Sequence, residues 1–127
     1  MNIINTVNAN EIKEISITGK RWFQRSAGNT YHSVSVGAMV SVDVADRLGA
    51  NKYGNKCGDV WIDLGYVGFA YGYDRGFEQT ALAVLIECVK DAPEDWRKKF
   101  VYACQVATAL NVPYSENVYD VSRKKDL

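Results

Sequence analysis

The hydrophobic residues of this chain change their spacing in its last third. Before that point they alternate with polar residues, as in Ile-Ser-Ile-Thr at 15–18 and again over 31–36. From Phe77 onward they recur every three or four residues. Alternation is typical of a half-buried strand, and the longer spacing is typical of an amphipathic helix. Strands first and helices afterwards favour α+β architecture, so we expect an antiparallel β-sheet followed by two C-terminal α-helices.

The strand patterns predict a hairpin and two further strands. The turn-forming segment Ser26–Asn29 separates the two alternating runs, which indicates an antiparallel hairpin. Valines alternate again over 40–44 and predict a third strand, whereas the polar, glycine-rich residues 46–58 predict a long loop. Residues 60–73 are apolar and aromatic and predict another strand. Their glycines indicate bulges or close approach of a ligand or backbone.

Two helices are predicted after these strands. Asp74 is positioned to cap the first, whose apolar residues run from Phe77 to Val89. The second begins with a capping-box spacing and an early proline over 91–94, and its apolar face continues to Leu110.

The segments at the two ends of the chain are less regular. Pro113 ends the second helix, and residues 117–121 predict a closing strand. The Asn-rich residues 1–10 predict either a loose segment or an edge arm.

The length, the charge balance and the cysteine count of the chain limit the functions that it can have. With 127 residues the chain fits one domain, 1–127, and its 15 basic and 15 acidic side chains cancel. We therefore expect no long nucleic acid and no membrane partner. The three cysteines form no zinc set with the single histidine, so no metal or cofactor is predicted. No secretion signal or membrane-spanning run is visible, which predicts a cytoplasmic protein.

The chain offers no catalytic constellation. In a strand His32 and Ser33 point to opposite faces, so they do not form a nucleophile–base pair. Asp59, Asp63 and Asp74 lack the regular spacing of a calcium loop, and loop solvation and capping explain them more simply. We therefore predict no catalytic residues and a binding protein rather than an enzyme.

Three segments have the composition of an anion or nucleotide site, and one of them is the basic run Arg123-Lys124-Lys125, for which a solubilising role is the alternative. Before the first predicted helix, Arg75 adds a donor to the free N–H groups of a helix start, and Tyr71 and Tyr73 are placed to stack on a base. A plain strand–helix connection with an exposed arginine is the alternative. In the hairpin, Lys20, Arg21 and Arg25 flank Trp22 and Phe23, and cations beside aromatic rings are typical of sites that bind unpaired nucleotides.

Two stretches carry a resemblance to known proteins. ITGKRWFQRSAGNTYHSVSV at 17–36 and YGYDRGFEQTALAVL at 71–85 resemble a set of small phage and prophage proteins. The chain also resembles, more narrowly, the first Thoeris anti-defence family of phage proteins. That family sequesters cyclic ADP-ribose-type signals, and in some members cyclic oligonucleotides, without degrading them. The resemblance implies a homo-oligomer with nucleotide pockets at subunit interfaces, in the host cell cytoplasm.

The resulting hypothesis is a sponge for a small cyclic nucleotide. We predict that Arg21, Trp22, Arg25 and Tyr31 lie near one site and that Arg75 and Arg123 bind phosphate. Two alternatives remain open. One is a phage inhibitor that contacts a host defence complex, and the other is a nucleotide-processing enzyme.

Overall fold

The computed structural model describes residues 1–72 and 74–127, which form a mixed β-sheet with α-helices packed on one side. No helix in this part of the chain is long and apolar enough to cross a membrane. Short 3-10 turns lie at Ala9–Glu11 and Lys124–Asp126. The strands and α-helices, in chain order, are β1 (Asn2–Ile3), β2 (Glu14–Gln24), β3 (Asn29–Ser41), α1 (Val42–Leu48), β4 (Tyr53–Lys56), β5 (Asp59–Tyr71), α2 (Gly76–Cys88), α3 (Asp95–Lys99), α4 (Ala103–Leu110) and β6 (Tyr114–Val121).

Strands β2 and β3 form the predicted antiparallel hairpin, with pairs running from Glu14–Met39 to Gln24–Asn29. Gly28 has a φ of +69° in the connecting turn, a conformation that glycine adopts without steric cost. Side chains alternate between the two faces of the sheet, so one set is buried beneath the helices. The other set lies on the opposite side, which we call the open face.

The sheet is only mostly antiparallel. Its order is β1-β5-β3-β2-β6, with β4 also paired to β5. Strand β6 runs parallel to β2, from Ile15–Tyr114 to Trp22–Val121. The α+β class is therefore confirmed. The expectation of an antiparallel sheet followed by two C-terminal helices is wrong in detail, because α1 lies between β3 and β4 and a strand follows α4.

The third strand predicted from the alternating valines over 40–44 is wrong, because β3 ends at Ser41 and a helix follows. Val40 ends its buried row, but Val42 and Val44 belong to α1. The Ser41 hydroxyl accepts a hydrogen bond from the Val44 N–H at 3.2 Å, and Gly49 closes the helix in the left-handed conformation. These two caps outweigh the strand preference of valine. The long loop predicted over 46–58 is also wrong in part, because it contains the end of α1 and strand β4.

The C-terminal helices also differ from the prediction. Arg75, not Asp74, is the N-cap of α2, and its side chain makes no capping bond. The second helix is two helices, because Phe100 is extended and Gln105 accepts from the backbone N–H groups of Val101 and Tyr102, which restarts the chain as α4. The capping box expected at 91–94 does not form either, since α3 starts at Asp95 without a side-chain cap.

The ends of the chain belong to the fold. Strand β1 pairs with β5 as an edge arm, and Val7 is fully buried. The strand predicted at 117–121 is confirmed and begins earlier, at Tyr114.

Strand β5 has an extra residue relative to β3 at two places. Val36 pairs with Gly65 but Gly37 pairs with Asp63, and His32 pairs with Ala70 but Val34 with Val67. Two of the three glycines predicted to mark bulges or close approaches, Gly65 and Gly68, lie at these places, and the third, Gly72, follows β5 and approaches the His32 ring. A Cβ on Gly65 would lie 2.7 Å from the Asn2 carbonyl oxygen and 3.1 Å from Val84 Cγ1.

Gly65→Ala is expected to lower the free energy of unfolding by about 1–3 kcal/mol, because the new methyl group collides with the backbone of β1. The matched control is Gly68→Ala on the same strand, where a Cβ meets nothing within 4 Å and the change is expected to stay within about 0.5 kcal/mol. Urea unfolding followed by circular dichroism measures both. Equal stability of the two variants would contradict the close approach at Gly65.

Candidate functional site

Four aromatic side chains meet at one end of the open face. The Tyr31 ring stacks on Trp22 at a centroid distance of 5.8 Å and on Phe69 at 4.8 Å, and it meets Tyr71 edge-on at 5.6 Å. Trp22 and Tyr71 are the direct cross-strand partners of Tyr31 in β2 and β5. The second bulge of β5 brings Phe69 to the same side. We call Trp22, Tyr31, Phe69 and Tyr71 the aromatic cluster.

The aromatic cluster is exposed and has cations beside it. Tyr71 is 65% and Phe69 47% exposed, which is high for large apolar rings. The Lys124 ammonium lies 4.8 Å from the centre of the Phe69 ring, a cation–π contact. Arg25 and Trp22 line an adjoining cavity of about 490 Å³. Within residues 1–72 and 74–127, Arg25 forms no ion pair, so its guanidinium remains available to a ligand.

The structure brings three of the six predicted binding residues together: Trp22, Tyr31 and Arg25. Arg21 lies on the helix side of the sheet, because it is one residue from Trp22 in a strand, and its Nε donates to Asp120 at 2.9 Å. Arg123 precedes the turn that carries Lys124 and donates to Asp126 at 3.0 and 3.4 Å.

Arg75 is the counter-ion of a buried carboxylate. Its Nε donates to Glu78, whose side chain is 2% exposed, and its guanidinium lies 3.8 Å from the centre of the Tyr102 ring. Close by on β6, the Tyr114 hydroxyl donates to Glu116 at 2.9 Å. Desolvation raises the pKa of Glu116, and the neighbouring Glu78 raises it further. Arg75, in the connection between β5 and α2, is therefore paired with groups of the protein itself.

Sequence reasoning missed Phe69 as a member of the site. Alternation alone does not reveal where the bulge near Gly68 moves the following side chain to the other face. The apolar Gly-Phe pair was the only signal for Phe69. The basic run Arg123-Lys124-Lys125 indicates a place that could hold phosphates, but only the path of the chain after β6 brings Lys124 to the Phe69 ring. Tyr73, predicted to stack on a base, lies outside the described residues.

His32 is a structural residue. It is 1% exposed, and its ring packs against Gly72 and Gly76, where a Cβ would lie 3.3 and 3.6 Å from Cε1. Nδ1 lies 3.2 Å from the Gly72 carbonyl oxygen, which only accepts, so Nδ1 carries the proton. Nε2 therefore accepts from the Thr80 hydroxyl at 2.7 Å. Both nitrogens are occupied, and the ring ties β5 to the start of α2.

Burial lowers the pKa of His32 below its usual value. The unfolded chain then binds more protons than the folded protein below about pH 6.5, so this residue makes the free energy of unfolding fall as the pH falls. His32→Gln is expected to cost about 1–3 kcal/mol at pH 7.5. The difference in free energy of unfolding between the variant and the wild type should narrow at pH 5.5, because only the wild type loses stability through His32 as the pH falls.

Urea unfolding of both proteins at the two pH values measures that difference. No other imidazole contributes, because the chain has a single histidine. If the difference in free energy of unfolding between wild type and His32→Gln stays constant or widens at pH 5.5, the folded protein binds a proton on His32 at least as readily as the unfolded chain, which would contradict the lowered pKa.

Comparisons with known proteins add no assignment to this geometry. No family model matches the chain, and neither a curated protein nor a solved structure matches it.

Proposed function

We propose that this protein binds and sequesters a small cyclic nucleotide signal, of the cyclic ADP-ribose or cyclic oligonucleotide type, without cleaving it, as a phage anti-defence protein. The observation that carries the proposal is the exposed aromatic cluster with Arg25 and Lys124 beside it. Aromatic rings stack on bases, and flanking cations bind phosphates. The narrower resemblance of the chain to the first Thoeris anti-defence family supports the same ligand class.

Sequestration without cleavage fits the buried state of His32. Its two ring nitrogens are held by Gly72 and Thr80, so this imidazole is not available as a general acid or base. A bound nucleotide would meet aromatic faces and ammonium or guanidinium groups at the cluster, which hold a phosphate but do not take a proton from an attacking water at neutral pH.

The proposal includes a homo-oligomer in the host cytoplasm. A small ligand held tightly in a protein has most of its surface buried, about 70–90%. The aromatic cluster is too open for this in one chain, since the Tyr71 ring is 65% exposed. A second copy placed over the cluster would supply the missing walls, as the resemblance implies.

An inhibitor that acts by protein contact is the second candidate. Exposed aromatic side chains at this end of the sheet favour it: Phe23 is 54% and Tyr119 55% exposed, in addition to the cluster. Rings of this kind are enriched at protein interfaces. This candidate needs no small ligand.

A depletion experiment tests the proposal. Purified protein is mixed with cyclic ADP-ribose isomers and cyclic oligonucleotides and then filtered, and the retained protein is heated. We expect an intact nucleotide to disappear from the filtrate and to be released on denaturation. Release of a changed product would indicate an enzyme, and no depletion of any nucleotide would favour the protein-contact inhibitor.

Arg123→Ala is expected to weaken nucleotide binding about tenfold if the arginine exchanges Asp126 for a ligand phosphate. Arg97→Ala is the matched control, because Arg97 is also 63% exposed and is also paired with a carboxylate, that of Glu87. Isothermal titration with the depleted nucleotide measures both variants. Equal affinity of the two would remove Arg123 from the site.

A further inference from the structure

A second depression lies on the open face, at the other end of the sheet from the aromatic cluster. Its walls come from Tyr53 on β4 and from Trp61 and Asp63 on β5, and it encloses about 320 Å³. Thr18 and Ser35, a cross-strand pair in the floor, continue into an adjoining cavity of about 250 Å³. We call the two cavities together the trough. Its size falls in the range of small-ligand sites, roughly 300–1,000 Å³.

The indole of Trp61 lies across the sheet surface. A Cβ on Gly54 of β4 would be 3.3 Å from Cδ1 at one end of the ring, and a Cβ on Gly37 of β3 would be 4.0 Å from Cε3 at the other end. Strand β5, which carries Trp61, lies between these two strands. The two glycines leave room for the ring to lie along the sheet. Such a ring is a flat apolar platform at the end of a polar cavity.

A carboxylate is held beside this platform. The Tyr53 hydroxyl donates to Oδ2 of Asp63 at 2.8 Å, and this bond together with the nearby charge raises the pKa of the Tyr53 phenol. Oδ1 of Asp63 has no hydrogen-bond partner within the described part of the chain. It therefore remains an acceptor on the side of the trough, and Tyr53 fixes its orientation.

The floor of the trough offers hydroxyl groups. Ser16 and Thr18 of β2 and Ser33 and Ser35 of β3 point to the open face, and their side chains make no hydrogen bond to another described residue. Hydroxyls both donate and accept, so they match a ligand that is itself rich in hydroxyl groups.

The charges of the trough argue against a phosphate. No arginine lines it among the described residues, and the Asp63 carboxylate lies at the indole platform. Among the described residues that line the trough, the one cation is Lys20, in the adjoining cavity. A phosphate stacked at Trp61 would face a negative charge, whereas a neutral hydroxyl-bearing ligand would donate to it.

We propose that the trough binds a neutral saccharide. The C–H face of a sugar ring stacks on Trp61, one of its hydroxyls donates to Oδ1 of Asp63, and other hydroxyls bond to Thr18 and Ser35. The Trp61 end of the trough lies away from the aromatic cluster, and the saccharide proposal does not depend on the nucleotide proposal.

The test uses maltose, cellobiose and N,N′-diacetylchitobiose as probes. In a Trp22→Phe background Trp61 is the main exposed indole, since Trp96 is 4% exposed, so its fluorescence reports on the trough. At least one disaccharide is expected to change this fluorescence with a dissociation constant of about 1 mM. Saturation-transfer NMR identifies the sugar protons that contact the protein. It also measures binding in variants that lack Trp61, where the fluorescence signal is lost.

Trp61→Ala and the isosteric Asp63→Asn should each weaken saccharide binding at least about tenfold. Asp59→Asn, on the same strand but outside the trough, should leave it unchanged. Asp63→Asn keeps the test valid if Trp61→Ala fails to fold. Nucleotide depletion should be the same in Asp63→Asn as in wild type, which separates the outcome from that of the nucleotide proposal.

Two results would overturn the proposal. One is that none of the three disaccharides perturbs Trp61 or shows saturation transfer, or that binding survives both trough variants. The other is that Trp61→Ala changes only the molar mass measured by light scattering. In that case the trough is a contact between copies of the chain.

Discussion

The two extra residues of β5 decide which side chains reach each face of the sheet. After the first, Leu64 and Gly65 are both buried, and Tyr66 turns to the open face. After the second, the original alternation returns and Tyr71 lies opposite Tyr31. A shift of one residue moves every following side chain to the other face, so the open-face aromatic residues depend on these two irregularities. The first extra residue turns position 65 toward the buried side, where β1 leaves no room for a side chain, so this position requires glycine.

Much of the fold could be predicted where local signals are strong. The β2–β3 hairpin follows from alternation and a glycine turn, and its register places Trp22 beside Tyr31. Helix α1 was hidden because Val-Asp-Val also alternates, although the Ser41 and Gly49 caps are visible in the sequence. The parallel pairing of β6 leaves no local signal, because its partner lies far away along the chain. Among the predicted binding residues, Arg21 has a carboxylate partner, Asp120, that only the folded chain brings close, whereas Arg75 pairs with Glu78 three residues away on the same helix start.

The open face combines two kinds of surface on one sheet. At the aromatic cluster, stacked rings lie near Lys124 and Arg25. At the trough, a single indole lies beside the Asp63 carboxylate. The difference in charge suits the first to anions and the second to neutral polar molecules. On the helix side, Arg75 is paired with Glu78 and Arg21 with Asp120.

The parallel pairing of β6 affects the order in which the strands of the sheet form. Strands β2 and β3 are neighbours in sequence and can pair early, but the other edge of β2 finds its partner only when residues 114–121 arrive. Contacts of such long sequence separation form slowly, because a large loop must close first. Until then β2 exposes a row of free backbone N–H and C=O groups next to Trp22 and Phe23, and an unpaired edge of this kind is prone to aggregation. Slow synthesis of residues 42–121 would prolong this exposure, so the speed at which this stretch is made bears on the yield of folded protein.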